Sequence, residues 1–183
     1  WLRKPGHYSD VGERDARQVL ALGDEGVRQL RTPRVGLVGV GGIGSHICQQ
    51  LAYLGVGQLV LIDPDRVEKT NLNRLVGAGY ADVGRLKVEV AEREACRINP
   101  HMRVRALPEK VWHQDALEAL RGTDIIIGAV DGDGARLVLN ELALAYAKPY
   151  VDCGTGIEAH EGRLREVGGQ VVVYLPGRAC LVC

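Results

Sequence analysis

Four glycines within Gly39-Val40-Gly41-Gly42-Ile43-Gly44 form the clearest chemical signal in the chain. Glycine permits a tight turn and lets a phosphate approach the backbone. Where such a loop opens a helix, free N–H groups and the positive end of the helix dipole complete an anion site. Asp63 stands about twenty residues further on, where an acidic side chain accepts hydrogen bonds from a ribose. The plainer alternatives are a glycine turn without a ligand and a solvent-facing turn aspartate beside Pro64. Up to this point the pattern says nucleotide, and an NAD-dependent oxidoreductase would read the same.

The following residues favour ATP. Asp63-Pro64-Asp65 runs on to Asn71-Leu72-Asn73-Arg74, and Lys87 opens the next helix. A triphosphate carries about four negative charges and must be held straight for attack at the α-phosphorus, which calls for cations and amide donors of this kind. Taken singly, Arg74 or Lys87 reads as a solvated surface charge. Asp131 follows the apolar run Ile125-Ile126-Ile127, so it emerges at the carboxyl edge of a parallel strand, where open α/β sheets bind ligands; the alternative is a turn residue in Asp131-Gly132-Asp133-Gly134. Cys180-Leu181-Val182-Cys183 is a CxxC knuckle offering two of the four ligands that tetrahedral zinc takes; the alternatives are a redox pair or two free thiols. Cys48, Cys96 and Cys153 fall on helices and at a strand end, and Cys153 reads as packing. His46 rides the helix beside the glycine loop.

These residues need a βα scaffold to position them. Residues 13–31 predict two short helices, because Gly23 and Gly26 weaken a single long one. Buried parallel strands are predicted at 34–39, 58–62, 102–107, 124–129 and 149–152. Helices are predicted after the glycine loop (Ile43, Ile47, Leu51 and Leu54 on one face, Gly55 as C-cap), at 86–98 ending on Asn99-Pro100, at 115–120 and at 135–147. Residues 68–84 read as a long polar loop, residues 158–168 as a loop containing His160, and 170–174 as a last strand outside the βα rhythm. The fold class is therefore α/β: a Rossmann-like three-layer fold whose mostly parallel sheet is extended by antiparallel strands at the C-terminal end.

Composition excludes several classes. The 23 Lys and Arg balance 23 Asp and Glu, so no global basic field draws in nucleic acid. No run of about 18 apolar residues could span a membrane, and Trp1-Leu2-Arg3-Lys4-Pro5 lacks the apolar stretch of a signal peptide. Five cysteines in a βα chain fit a reducing cytoplasm better than a disulfide scaffold. The first residue is not Met, and the chain reads as a piece of a longer protein.

Taken together, the motifs resemble the ThiF/MoeB family, related to the activating enzymes of ubiquitin-like proteins. The resemblance is carried by the glycine loop, by Asp63 through Asn71-Leu72-Asn73-Arg74, by Gly84-Arg85-Leu86-Lys87-Val88, by Ala129-Val130-Asp131-Gly132-Asp133 and by Arg14-Asp15-Ala16-Arg17-Gln18. It covers the chain from about residue 13 onward. It implies ATP-dependent adenylation of the C-terminal carboxylate of a small ubiquitin-like or sulfur-carrier protein ending in Gly-Gly. It implies that Gly39, Gly41, Gly42 and Gly44 cradle the nucleotide, that Asp63 holds the ribose, that Asp65 also belongs to the nucleotide-binding residues, and that Asn71, Arg74 and Lys87 bind the phosphates. Asp131 would hold Mg²⁺, and Arg17 would reach into a partner subunit's site in a homodimer. The resemblance also implies a second CxxC further along, which would complete a zinc site with Cys180 and Cys183, and in many relatives a nucleophilic cysteine downstream of the knuckle. Residues 1–33 read as a helical segment carrying the arginine motif and residues 34–183 as the nucleotide-binding adenylation domain, cut short at its C-terminus. The loop at 158–168 departs from typical relatives and leaves the substrate open. Alternatives are the NAD oxidoreductase, a non-catalytic docking module of the same fold, and a family member acting on a modified tRNA base.

Overall fold

The computed structural model describes residues 12–160 and 163–182. Its frame is a six-stranded sheet in the order β3-β2-β1-β4-β5-β6. Strands β1 (Arg34–Val38), β2 (Gln58–Ile62), β3 (Arg103–Leu107), β4 (Ile125–Gly128) and β5 (Tyr150–His160) are parallel, and β6 (Arg163–Tyr174) runs antiparallel to β5. The strand order reverses between β1 and β4, so a crevice opens at their carboxyl ends.

Alternation along each strand builds two cores. Val35 and Leu37 of β1 join Leu59 and Leu61 of β2 under helices α2 (Gly42–Leu54) and α3 (Lys87–Ile98). Val38, Val60, Ile62, Ile126 and Tyr150 face the other way, under α4 (Gln114–Arg121) and α5 (Asp133–Ala145). The result is the three-layer α/β fold expected from the sequence. Gly55 ends α2 with φ 84°, the left-handed conformation a C-cap glycine supplies. Helix α1 (Ala16–Arg31) breaks at Gly23, which has φ 70° and ψ 166°, so the segment is two helical stretches, as its glycines suggest. No helix among the described residues is long and apolar enough to cross a membrane.

The structure corrects one reading. Residues 158–168 are not a loop: β5 continues to His160 and β6 starts at Arg163, paired from Tyr150↔Tyr174 out to His160↔Arg163 with a bulge at Glu158/Ala159. His160 is thus a strand residue. Only Tyr150–Asp152 also pair with β4, so the rest of the hairpin projects beyond the sheet. Residues 163–170 are exposed throughout. With no buried face there is no apolar alternation to announce a strand.

Candidate functional site

A cleft of about 630 Å³ opens at the strand reversal. Gly39, Gly41, Gly42 and Ile43 form one wall, with Asp63, Pro64, Asp65, Arg74 and Lys87 beside them. Asp131 and Arg136, with Cys153, Gly154 and Thr155, line it as well.

The glycine loop is shaped by close approaches. Gly39 has φ 85°, and a Cβ there would stand 2.4 Å from the Ala129 carbonyl oxygen. A Cβ on Gly44 would lie 1.9 Å from the Gly39 carbonyl oxygen. Gly44 is therefore buried beneath the loop, where it lets the helix close on the turn, and it is not a lining residue. Helix α2 has Gly41 as its N-cap and no side-chain cap, which leaves its first N–H groups for a ligand.

Asp63 locks this geometry from β2. Its Oδ2 accepts the Val40 N–H at 2.6 Å and its Oδ1 accepts the Asp65 N–H at 2.8 Å. Burial pushes its carboxyl above the usual range, against the pull of those two donors and of Lys87. Asp63 thus organises the loop, while Asp65, with a side chain 62% exposed, holds Lys87 Nζ at 2.7 Å from its Oδ2.

Arg74 comes from the long segment between β2 and α3. Its Nη1 donates to the Thr70 carbonyl at 2.8 Å and to Asn73 Oδ1 at 3.2 Å. Its stem crosses Gly42, where a Cβ would meet Arg74 Cδ at 3.1 Å. Asn71 is not part of the cleft wall: its Oδ1 accepts the Glu68 N–H at 3.0 Å and supports the turn that carries Arg74. Ser45 Oγ donates to the Gly42 carbonyl at 3.1 Å and accepts the Val76 N–H at 3.1 Å. Asp82 accepts from Arg93 Nη1 at 2.6 Å and Nη2 at 3.0 Å, and from the Gly79 N–H at 2.9 Å. Arg93 holds the Asp82 carboxyl down at about 2.

Arg17 does not line the cleft. Nearby, Arg14 Nη2 donates to the Ala52 carbonyl at 2.8 Å and Gln18 Nε2 to the Tyr53 carbonyl at 3.3 Å. These contacts moor α1 and the turn before it to the C-terminal turn of α2, about 15 Å of helix away from the glycine loop. Arg17 is exposed there. Cys180 is half-buried against the core, and Cys183 lies outside the described residues. Among the described residues no three His, Cys, Asp or Glu side chains converge as a metal site.

Several lining residues escaped the sequence reading. Cys153, read as packing, sits half-buried on the cleft wall, where burial pushes its thiol up. Arg136 looks in sequence like a helix surface charge. The loop after β3 adds Glu109, Lys110, Val111 and Trp112, with Lys110 Nζ 5.4 Å from the centroid of the Trp112 ring. A half-exposed tryptophan just past a strand was the one signal available.

The ThiF family model matches residues 15–183. The chain is 35% identical over 153 residues to the sulfur carrier protein adenylyltransferase of Thermus thermophilus, covering 84% of this chain and 53% of that protein. It is 33% identical to the SAMP-activating enzyme E1 of Haloferax volcanii, covering 88% of this chain and 57% of that one. The crystal structure of E. coli MccB with ATP superimposes with a TM-score of 0.76 at 28% identity, over 98% of this chain and 53% of that chain. The chain spans little more than half the length of these relatives.

Proposed function

This chain belongs to the ThiF family, and on that premise we propose that it uses ATP to adenylate the C-terminal carboxylate of a small ubiquitin-like or sulfur-carrier protein. A carboxylate oxygen of the carrier's terminal glycine attacks the α-phosphorus. A P–O bond forms, the bond from the α-phosphorus to the bridging oxygen breaks, and pyrophosphate leaves with that electron pair. No general base is needed, because a carboxylate is already ionised at neutral pH. Catalysis then consists of positioning and charge neutralisation.

The observation that supports this best is the shared cleft: the glycine loop, Asp65, Arg74, Lys87 and Asp131 all line it, with Asp63 bracing the loop. Two cations and a helix N-terminus suit a triphosphate better than the diphosphate bridge of NAD. Asp65 or Asp63 would take the ribose. Asn71 would act by shaping the turn under Arg74. Asp131 is exposed, with no ion-pair partner among the described residues, and would hold a magnesium ion on the phosphates; Mg²⁺ takes one or two carboxylates and fills its sphere with phosphate oxygens and water. Such an ion would neutralise charge on the phosphate oxygens. The thiols of Cys180 and Cys183 would hold zinc only with two further ligands, and no step here depends on it. The mooring of α1 far from the chain's own loop supports a homodimer in which Arg17 serves the neighbouring copy. We read residues 1–33 as a helical segment carrying the arginine motif, whose described part docks on the nucleotide domain. Free thiols at Cys48, Cys96 and Cys153 favour a reducing, cytoplasmic setting.

The test is ATP–pyrophosphate exchange with Mg²⁺ across carriers ending in Gly-Gly. Exchange should depend on a carrier, and Asp131→Ala should cost about 3 kcal/mol of transition-state stabilisation or more. Exchange within a few-fold of the parent after that change would remove Asp131 from the site. NAD binding without ATP binding would instead favour the oxidoreductase.

A further inference from the structure

Two charged groups at the carboxyl edge of the sheet have no part in the scheme above. Asp152 is fully buried where β5 leaves β4. Its Oδ1 accepts from Tyr150 Oη at 2.9 Å. No hydrogen-bond donor among the described residues reaches its Oδ2, and the cation facing that oxygen is Arg136 Nη1 at 3.5 Å. A buried carboxylate is costly unless a cation faces it, so the pair holds Arg136 in place.

Arg136 stands in the first turn of α5 and lines the cleft. Its Nε and Nη2 both donate to the Val130 carbonyl, at 3.3 and 3.1 Å. Val130 immediately precedes Asp131, an exposed bend residue followed by Gly132, the N-cap of α5. Glycine-flanked backbone has little stiffness of its own. The seat for Arg136 is cut to shape: a Cβ on Gly154 would lie 2.4 Å from Arg136 Nη2, and a Cβ on Gly128 would lie 2.8 Å from Tyr150 Oη.

We propose that Arg136 is a positioning residue for adenylation: anchored on buried Asp152, its guanidinium grips the Val130 carbonyl and so fixes the backbone from which Asp131 enters the cleft. The inference rests on the adenylation reading. A planar guanidinium can face the carbonyl and the carboxylate together, whereas a lysine is a single point charge.

The test is a double-mutant cycle on carrier-dependent exchange, with Arg136→Gln, Asp131→Asn and the pair, and with Asp152→Asn and Arg136→Lys alongside. Arg136→Gln and Asp152→Asn should lower kcat by roughly 10- to 100-fold, the scale seen when a group that orients a functional residue is removed. The KM for ATP should stay within about threefold, and Arg136→Lys should show a smaller loss of the same kind. In the Asp131→Asn background, Arg136→Gln should cost less than about threefold more. If the two losses multiply, Arg136 acts on its own and the positioning role is overturned. If Arg136→Gln no longer unfolds cooperatively on heating, the Lys variant carries the cycle with the same criterion. A parent protein that is inactive with every carrier overturns the adenylation reading, and this inference with it; an active parent with multiplying losses overturns the positioning role alone.

Discussion

Strands β1 and β6 are both rich in valine, yet they live in opposite environments. Four of the five residues of β1 are buried, whereas along the twelve residues of β6 only Tyr174 is. Helices cover both faces of β1. Beside β5, one face of β6 meets α5 through Tyr174, while Val171 and Val173 on the other are 68% and 57% exposed. Composition alone therefore does not separate a core strand from an edge strand; coverage does. The candidate cleft opens at the end of the covered strand, where the backbone is held rigidly enough to aim N–H groups at a ligand.

That contrast can be tested by substitution, beginning where the effect is largest. Leu37→Ala in β1 should cost about 2–5 kcal/mol, measured by urea unfolding, since Leu37 is fully buried. A loss under about 1 kcal/mol would show that the core there is loose. Gly44→Ala should cost about 1–3 kcal/mol as its new Cβ pushes into the Gly39 carbonyl. It should also weaken ATP binding by calorimetry; unchanged affinity would mean that the loop tolerates the displacement.

A smaller effect belongs to the clamp on the long loop. The Asp82 carboxyl is held at about 2 by Arg93, below its ordinary value of 3.8. Its folded form therefore favours the ionised state, and the stabilisation is present above the ordinary value and lost as pH falls towards 2. Because Arg93 is half exposed, solvent screening keeps the worth of the pair to about 1 kcal/mol or less. Asp82→Asn should lower stability at pH 7 and flatten the acid limb of a stability–pH curve. An unchanged limb would assign acid sensitivity to other carboxyls. Smallest of all, Val171→Thr in β6 should change stability by no more than about 0.5 kcal/mol; a large loss would mean that its face is covered in solution.

The covered half of the molecule was readable because burial leaves a pattern. Val35 to Val38 is an apolar run ending in glycine, and Leu59 to Ile62 is another ending in aspartate, so β1, β2 and the turn between β1 and α2 followed from the residues alone. Arg74, Lys87 and Asp131 were readable as charges in a fixed order, and they do share the cleft. The base of the hairpin at 170–174 was readable as an antiparallel strand, but its outer arm was not, because from Arg163 to Gln170 it repeats charges and glycines without alternation. Arg136 was hidden because its partners, Asp152 and the Val130 carbonyl, meet it only when β5 lies beside β4. Gly44 could be recognised as necessary, but its task as a spacer under the loop became visible only with the helix in place.

The bond from the Val40 N–H to Asp63 joins residues 23 positions apart. The proposed anion cradle is thus not portable. A peptide cut from the chain to span the glycine loop and α2 would keep the fingerprint and lose its shape, since the acceptor that sets the loop belongs to the next strand. During folding, the cradle can be completed only after β2 has docked on β1 in the correct register, because a slip of one residue would carry the carboxylate to the opposite face of the sheet. Under the proposed function, nucleotide affinity would therefore double as a gauge of strand registration.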